Sequence, residues 1–216
     1  EQVREYLENG YWWMNRCINS NIRPGKSIDF GFDVDTYFNP LIKQLIKFYK
    51  ADSIEPIEFY GNCYNGNADL FTTMSYLPHV DTFPGADKDI NPLNDYAFNL
   101  NVTKSDKVKT AFYSFNGKKS VCDWTPDDYD DHDRVRDRHK KIKAKNWRLL
   151  SSENFQNYQL EYIANIEYNS LILYPSHYWH SVYIKEDWFT DTDRVTFTGF
   201  FETKTTSSKT KKLGFG

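Results

Sequence analysis

The feature that most constrains the fold is a series of short runs in which apolar and polar residues alternate, with turn residues between them. From Asn94 to Val102, the side chains of Tyr96, Phe98, Leu100 and Val102 alternate with Asn99 and Asn101. Val108 to Phe115 alternates again, and Gln159 to Ile166, Ser170 to Tyr174 and Arg194 to Thr203 continue the series. Glu58 to Asn62 and Leu70 to Leu77 are aromatic and β-branched runs broken by Gly and Asn. Period two belongs to strands with one buried face. Many short strands with turn signals between them build a sandwich or barrel. The expected class is therefore mainly β, with a few flanking helices. The 216 residues suffice for one domain with a substantial core. With 18% aromatic residues, much of that core must be Tyr, Phe and Trp.

The helical pattern is clearest from Thr36 to Lys50, where Leu41, Ile42, Leu45, Ile46, Phe48 and Tyr49 recur at helical spacing. Asp35 is one candidate cap, and Asn39 before Pro40 marks an alternative, later start. This helix is expected to pack on the outside of a sheet. Val3 to Asn15 reads as a short helix or strand. The expected organisation is one domain over 1–216: a helical flank over 1–53, a β core over 54–203 and a flexible tail over 204–216. The core carries a charged insertion over 123–148, nearly free of aliphatic residues, whose acidic half precedes its basic half as a helix macrodipole favours. The plain reading is a solvated helix or mobile insertion; the functional one is a lid or docking segment at the mouth of the barrel.

The formal net charge of −3 makes no basic footprint, so a nucleic-acid partner is disfavoured. No apolar run approaches a membrane span. The first residues show no secretory pattern. Cys17, Cys63 and Cys122 form no CxxC pair and read as small buried hydrophobes. A reducing, cytoplasmic setting is expected.

The residues that carry chemistry are His79-Val80-Asp81 and, much later, His180 in Tyr174-Pro175-Ser176-His177-Tyr178-Trp179-His180. Residues i and i+2 of a strand point the same way, so His79 and Asp81 can enter one cavity. Two imidazoles and a carboxylate are the facial triad that holds ferrous iron and leaves positions open for O₂ chemistry. His177 competes with His180 for the third place; His180 is preferred because Ser181-Val182-Tyr183 continues it into a strand. His132 and His139 lie in the charged insertion and read as solvated. Zinc also accepts two His and a carboxylate, which leaves a zinc-dependent hydrolase open. A non-catalytic metal- or ligand-binding module is the other alternative.

Arg194 discriminates among these readings. Alternation puts Arg194, Thr196 and Thr198 on one face and Val195 and Phe197 on the other. A buried guanidinium needs an anionic partner, and a carboxylate accepts a bidentate pair from it. The dicarboxylate 2-oxoglutarate supplies one carboxylate and keeps its other end for iron. An internal salt bridge is the bland alternative.

These residues resemble the 2-oxoglutarate/Fe(II)-dependent dioxygenase superfamily, of the prolyl-hydroxylase-like, small bacterial and phage type. The resemblance rests on His79-x-Asp81, His180, Arg194-x-Thr196, the Pro175-Ser176-x-x-x-His180 segment and the strand Thr110-Ala111-Phe112-Tyr113, and it covers about residues 70 to 201. It implies a double-stranded β-helix, or jelly roll. It implies Fe(II) on His79, Asp81 and His180, with Arg194 and Thr196 on the distal carboxylate of 2-oxoglutarate. Such enzymes release succinate and CO₂ and usually hydroxylate a substrate. The expected substrate is a small molecule or a peptide. Tyr76 is a further candidate for the co-substrate, with core packing as its alternative. Asn99 and Asn101 either line the cavity or face solvent. Tyr178 and Trp179 either wall the pocket or pack.

Overall fold

The structure is a computed structural model that describes residues 13–14, 26–29, 34–64, 78–81, 95–139, 157–183 and 188–205. Among these, a larger antiparallel sheet contains β1 (Trp13–Met14), β2 (Lys26–Asp29), β3 (Ser53–Tyr64), β4 (Asp95–Asn101), β7 (Leu171–Pro175) and β9 (Arg194–Lys204), in the order β1-β2-β3-β9-β4-β7. A smaller sheet contains β5 (Lys109–Phe115), β6 (Tyr158–Asn165) and β8 (His180–Tyr183), in the order β6-β5-β8. From β4 onward the chain therefore passes back and forth between the sheets. The strands expected near 94–102, 108–115, 159–166, 170–174 and 194–203 are all present within a residue or two. The run Leu70 to Leu77 lies outside the described residues.

Each sheet carries a helix on its outer face. Helix α1 (Val34–Tyr49) runs through Pro40, and its start precedes both caps offered by the sequence. The reason is packing rather than capping. Phe38 and Leu45 are buried against Phe59, Phe98, Phe197 and Phe201 of the larger sheet. Phe38 stacks on Phe197 with ring centroids 4.2 Å apart and meets Phe59 edge-on at 5.4 Å. Burial on that scale outweighs a proline near the start of the helix. Gly199 is where the aromatic layer comes closest to the backbone: an added Cβ would lie 2.4 Å from Phe98 Cε1 and 2.9 Å from Phe59 Cδ1.

Helix α2 (Pro126–His139) occupies the first half of the charged insertion. It is not simply solvated. Val135 is buried with Val121, Phe115, Tyr158 and Trp179 on the outer face of the smaller sheet. The His132 side chain is only 13% exposed and its ring lies 5.2 Å from Trp179 and 5.3 Å from Trp124, so the solvated reading of His132 is corrected. Tyr129, His132 and Val135 are three residues apart and form a stripe that a count of aliphatics misses. The side chain of His139 and residues 140–156 lie outside the described residues. Cys122, expected to be buried, is exposed on the short turn Val121–Asp123 that leads into α2.

The start of α2 is fixed by Thr125, Pro126 and Asp128. The buried Asp128 carboxylate accepts from the Thr125 backbone at 2.7 Å and from its hydroxyl at 2.6 Å, pairs with Lys118 and accepts a longer bond from Asn116. This is the carboxylate half of a capping box, with Asp in the third helical position. Burial alone would raise the Asp128 pKa. The bonds from Lys118, Thr125 and Asn116 outweigh it and hold the group well below the usual carboxylate range.

Two predictions follow from this packing. Gly199→Ala is expected to destabilise the fold by about 1–3 kcal/mol, read as a lower urea midpoint, because Phe98 and Phe59 must shift. Because the folded pKa of Asp128 is depressed, its contribution is present above the unfolded value near 4 and is lost as pH falls below it. The stability gap between wild type and Asp128→Asn is therefore expected to narrow between pH 7 and pH 3, measured by denaturation at each pH.

Candidate metal centre

The two sheets face each other through aromatic contacts. Phe112 on β5 meets Tyr174 on β7 edge-on at 5.3 Å, and Tyr174 lies 4.7 Å from the His180 ring on β8. Behind them, Val182 and Ile172 pack with Val108, Ile166 and Phe189. His180 opens β8, and its backbone is paired on both sides. Phe112 lies opposite it on β5. His79 lies opposite it on the free edge, where His79 N donates to His180 O at 2.8 Å and His180 N donates to His79 O at 2.9 Å. Asp81 N donates to Ser176 O at 2.9 Å, which ties the short segment to the turn after β7.

This pairing decides where the side chains go. Directly opposed residues of an antiparallel pair project to the same face. His79 and His180 therefore stand side by side, with ring centroids 4.5 Å apart. Asp81, two residues on, joins them. Asp81 Oδ2 lies 3.3 Å from His180 Nε2 and Oδ1 lies 3.7 Å from His79 Nε2. The potential ligand atoms of the three residues all lie within 4.8 Å of one another. His180 and Asp81 side chains are each 6% exposed, whereas His79 is 44% exposed and forms the open side.

The donor chemistry fits a divalent metal. His180 Nδ1 lies 2.9 Å from Tyr178 O. A carbonyl only accepts, so Nδ1 carries a proton, and in the neutral ring Nε2 is the nitrogen left for a metal. A hydrogen bond from the far ring nitrogen to a carbonyl fixes the tautomer and ring orientation of a metal-binding His. His79, Asp81 and His180 thus present two nitrogens and a carboxylate from one side only, which leaves the other side for exogenous ligands.

Of the other residues singled out by sequence, Arg194 and Thr196 lie on the face of β9 away from α1. They are 4% and 1% exposed, and Arg194 Nη1 donates to Thr196 Oγ1 at 3.2 Å. Thr198 shares that face and links Asn62 Nδ2 at 3.2 Å to Asn99 Oδ1 at 2.9 Å. Asn99 is therefore on the interior face. Asn101 is fully buried, and its amide donates to Ile166 O at 2.7 Å and accepts from Thr103 N at 2.7 Å. His177 is not in the cluster, because its Nδ1 lies 2.7 Å from Ser120 Oγ. Trp179 points to the outer face and packs under α2. Tyr76 lies outside the described residues. Sequence reasoning missed two interior groups, Tyr174 and Asn62. Thr110 Oγ1, on the Phe112 side of β5, is buried and has no hydrogen-bond partner among the described residues.

Among the described residues, no helix is long and apolar enough to cross a membrane. His180→Ala is expected to abolish tight binding of one Fe(II) or Ni(II), read by calorimetry, whereas His177→Ala leaves metal affinity within about twofold because its ring serves Ser120.

No family model and no curated protein matches this chain. Among solved structures, it is similar to the non-heme alpha-ketoglutarate-dependent epimerase SnoN from nogalamycin biosynthesis, with a TM-score of 0.54 and 10% identity over 94% of this chain and 70% of that one. It is also similar to HygX from Streptomyces hygroscopicus with nickel and 2-oxoglutarate bound, with a TM-score of 0.57 and 11% identity over 94% of this chain and 77% of that one. The iron-bound form of HygX gives a TM-score of 0.54 at 11% identity, over 94% of this chain and 76% of that one. At such identities the likeness is one of architecture: the chain shares the fold of SnoN and HygX.

Proposed function

We propose that this chain is a 2-oxoglutarate- and Fe(II)-dependent oxygenase of the prolyl-hydroxylase-like type, one domain built on a jelly roll, that hydroxylates a small molecule or peptide. The observation that carries the reading is the convergence of His79, Asp81 and His180 with the His180 Nδ1 proton already committed to a backbone carbonyl. The repeated crossing of the chain between the two sheets from β4 to β9 supports a double-stranded β-helix. HygX, whose fold is similar, holds nickel with 2-oxoglutarate in one structure and iron in another, and the same pair of cofactors is assigned to this site by proposal.

Iron at this site would supply the O₂-dependent decarboxylation of 2-oxoglutarate to succinate and CO₂, coupled to hydroxylation of the substrate. The chain's own part is to hold and orient. Asp81 supplies negative charge that a dication neutralises, at a side chain only 6% exposed. The backbone pair between His79 and His180 sets the spacing of the two imidazoles before metal arrives. Arg194 and Thr196 form a buried donor pair on the inward face of β9, suited to the distal carboxylate of the keto acid. Phe112 and Tyr174 wall the site with rings and exclude water from that side. A zinc hydrolase has no use for a buried guanidinium on this face, and Arg194 favours the oxygenase.

The deciding experiment is anaerobic titration with Fe(II) and then 2-oxoglutarate, followed by O₂. A weak visible charge-transfer band that decays with release of succinate is the expected result; tight zinc binding with no band would overturn the reading. Arg194→Ala is expected to retain the metal and to weaken 2-oxoglutarate by about 2 kcal/mol, roughly thirtyfold, measured by calorimetry on the Ni(II)-loaded protein.

A further inference from the structure

One buried hydroxyl between the sheets is put to no use by the folding of the chain. Thr110 on β5 is 1% exposed, its Oγ1 is closed to solvent, and that oxygen has no hydrogen-bond partner among the described residues. Folded proteins pair nearly all such groups, because an unmade bond leaves the desolvation of the hydroxyl uncompensated. Valine has nearly the same shape and would fill the position without that cost. The hydroxyl therefore calls for an acceptor from outside the chain.

Strand register shows where that acceptor would lie. Phe112 is opposite His180, and Thr110 is opposite Val182. Thr110 thus projects to the face that carries the metal cluster, one two-residue step, about 7 Å, further along β5. The step leads inward, since Val182 packs with Ile172, Val108 and Ile166. The larger sheet meets this level through a chain of hydrogen bonds. Ile166 N donates to Val108 O at 2.9 Å, the Asn101 amide donates to Ile166 O at 2.7 Å, and Asn101 lies opposite Thr196 on β9. Thr196 and the Arg194 Nη1 that donates to it therefore stand across the gap from Thr110, deeper than the metal ligands. A five-carbon keto diacid chelated beside His180 would carry its far carboxylate to this depth. Its two oxygens offer about four lone-pair sites, enough for a guanidinium and two hydroxyls.

We propose that the Thr110 hydroxyl donates to the distal carboxylate of 2-oxoglutarate from the smaller sheet, facing the Arg194–Thr196 pair of the larger one. The co-substrate is then held from both sheets, and Thr110 helps select a dicarboxylic keto acid over a monocarboxylic one. This inference rests on the function proposed above.

Thr110→Val removes the hydroxyl and keeps the shape; Thr110→Ser keeps the hydroxyl. The probes are Ni(II), 2-oxoglutarate and 2-oxopentanoate, which has the same carbon chain with a methyl group in place of the distal carboxylate. Each keto acid is titrated by calorimetry into the Ni(II)-loaded protein, or followed without O₂ by its charge-transfer band on Fe(II). In Thr110→Val, affinity for 2-oxoglutarate is expected to fall about tenfold, with 2-oxopentanoate and Ni(II) binding unchanged. Thr110→Ser is expected to stay within about threefold of wild type for all three. The urea midpoint of metal-free Thr110→Val is expected to equal or exceed that of wild type, because an unpaired buried hydroxyl is gone. Unchanged 2-oxoglutarate affinity in Thr110→Val would overturn the proposal. So would an equal loss for both keto acids, or the same loss in Thr110→Ser, either of which would make Thr110 a packing residue. A lower urea midpoint would overturn it too, by showing that the hydroxyl already serves the fold. If Ni(II)-loaded wild type binds no 2-oxoglutarate, the proposed function fails and the inference falls with it; selective binding by wild type with no change in Thr110→Val removes the inference alone.

Discussion

The arrangement rests on one reciprocal pair of backbone hydrogen bonds, between His79 and His180. Their side chains come from parts of the sequence that share no local structure. The pair places both imidazoles on the same face at a fixed spacing, and the two-residue period brings Asp81 in beside them. Everything that holds β8 in place then also holds the site. Phe112 lies opposite His180 on the other side of β8, Ser176 anchors Asp81, and the Tyr178 carbonyl sets the tautomer of His180. A donor set organised in this way loses little conformational entropy when a ligand arrives, which is the advantage of preorganisation.

Much of this was legible in the sequence because the relevant patterns are periodic. Alternation along 94–102, 108–115 and 194–203 gives strands and tells which side chains share a face. It correctly grouped Arg194, Thr196 and Thr198 away from Val195 and Phe197. The helical spacing of Leu41, Leu45 and Tyr49 gave α1 and its docking face. Strand continuation favours His180 over His177; the structure puts the His180 ring beside His79 and Asp81 and the His177 ring beside Ser120.

The rest was hidden for identifiable physical reasons. His132 sits in a segment dense in charge, and composition is blind to a stripe of one Tyr, one His and one Val at helical spacing. Asn101 carries the polar identity of a cavity residue, yet its amide closes backbone groups of Ile166 and Thr103, a demand that only tertiary structure reveals. Pro40 reads as a helix boundary because local propensity disfavours it within a helix, and aromatic burial under α1 prevailed. Tyr174 lies in an apolar run, where a phenol reads as packing; its approach to His180 depends on how the two sheets face each other.

The alternation along Trp179, His180 and Ser181 has one more consequence. Trp179 is buried on the outer face among Trp124, Phe115, Tyr158 and His132, while His180 faces inward. A slip of β8 by a single position would carry the indole into the pocket and thrust an imidazole into that aromatic layer. The layer under α2 rejects such an exchange, since the large indole fills space that an imidazole leaves open. Helix α2 and Trp124 thus act as a keyed lock on strand alignment: a slip that breaks up the His79, Asp81 and His180 cluster also costs packing on the far side of the sheet.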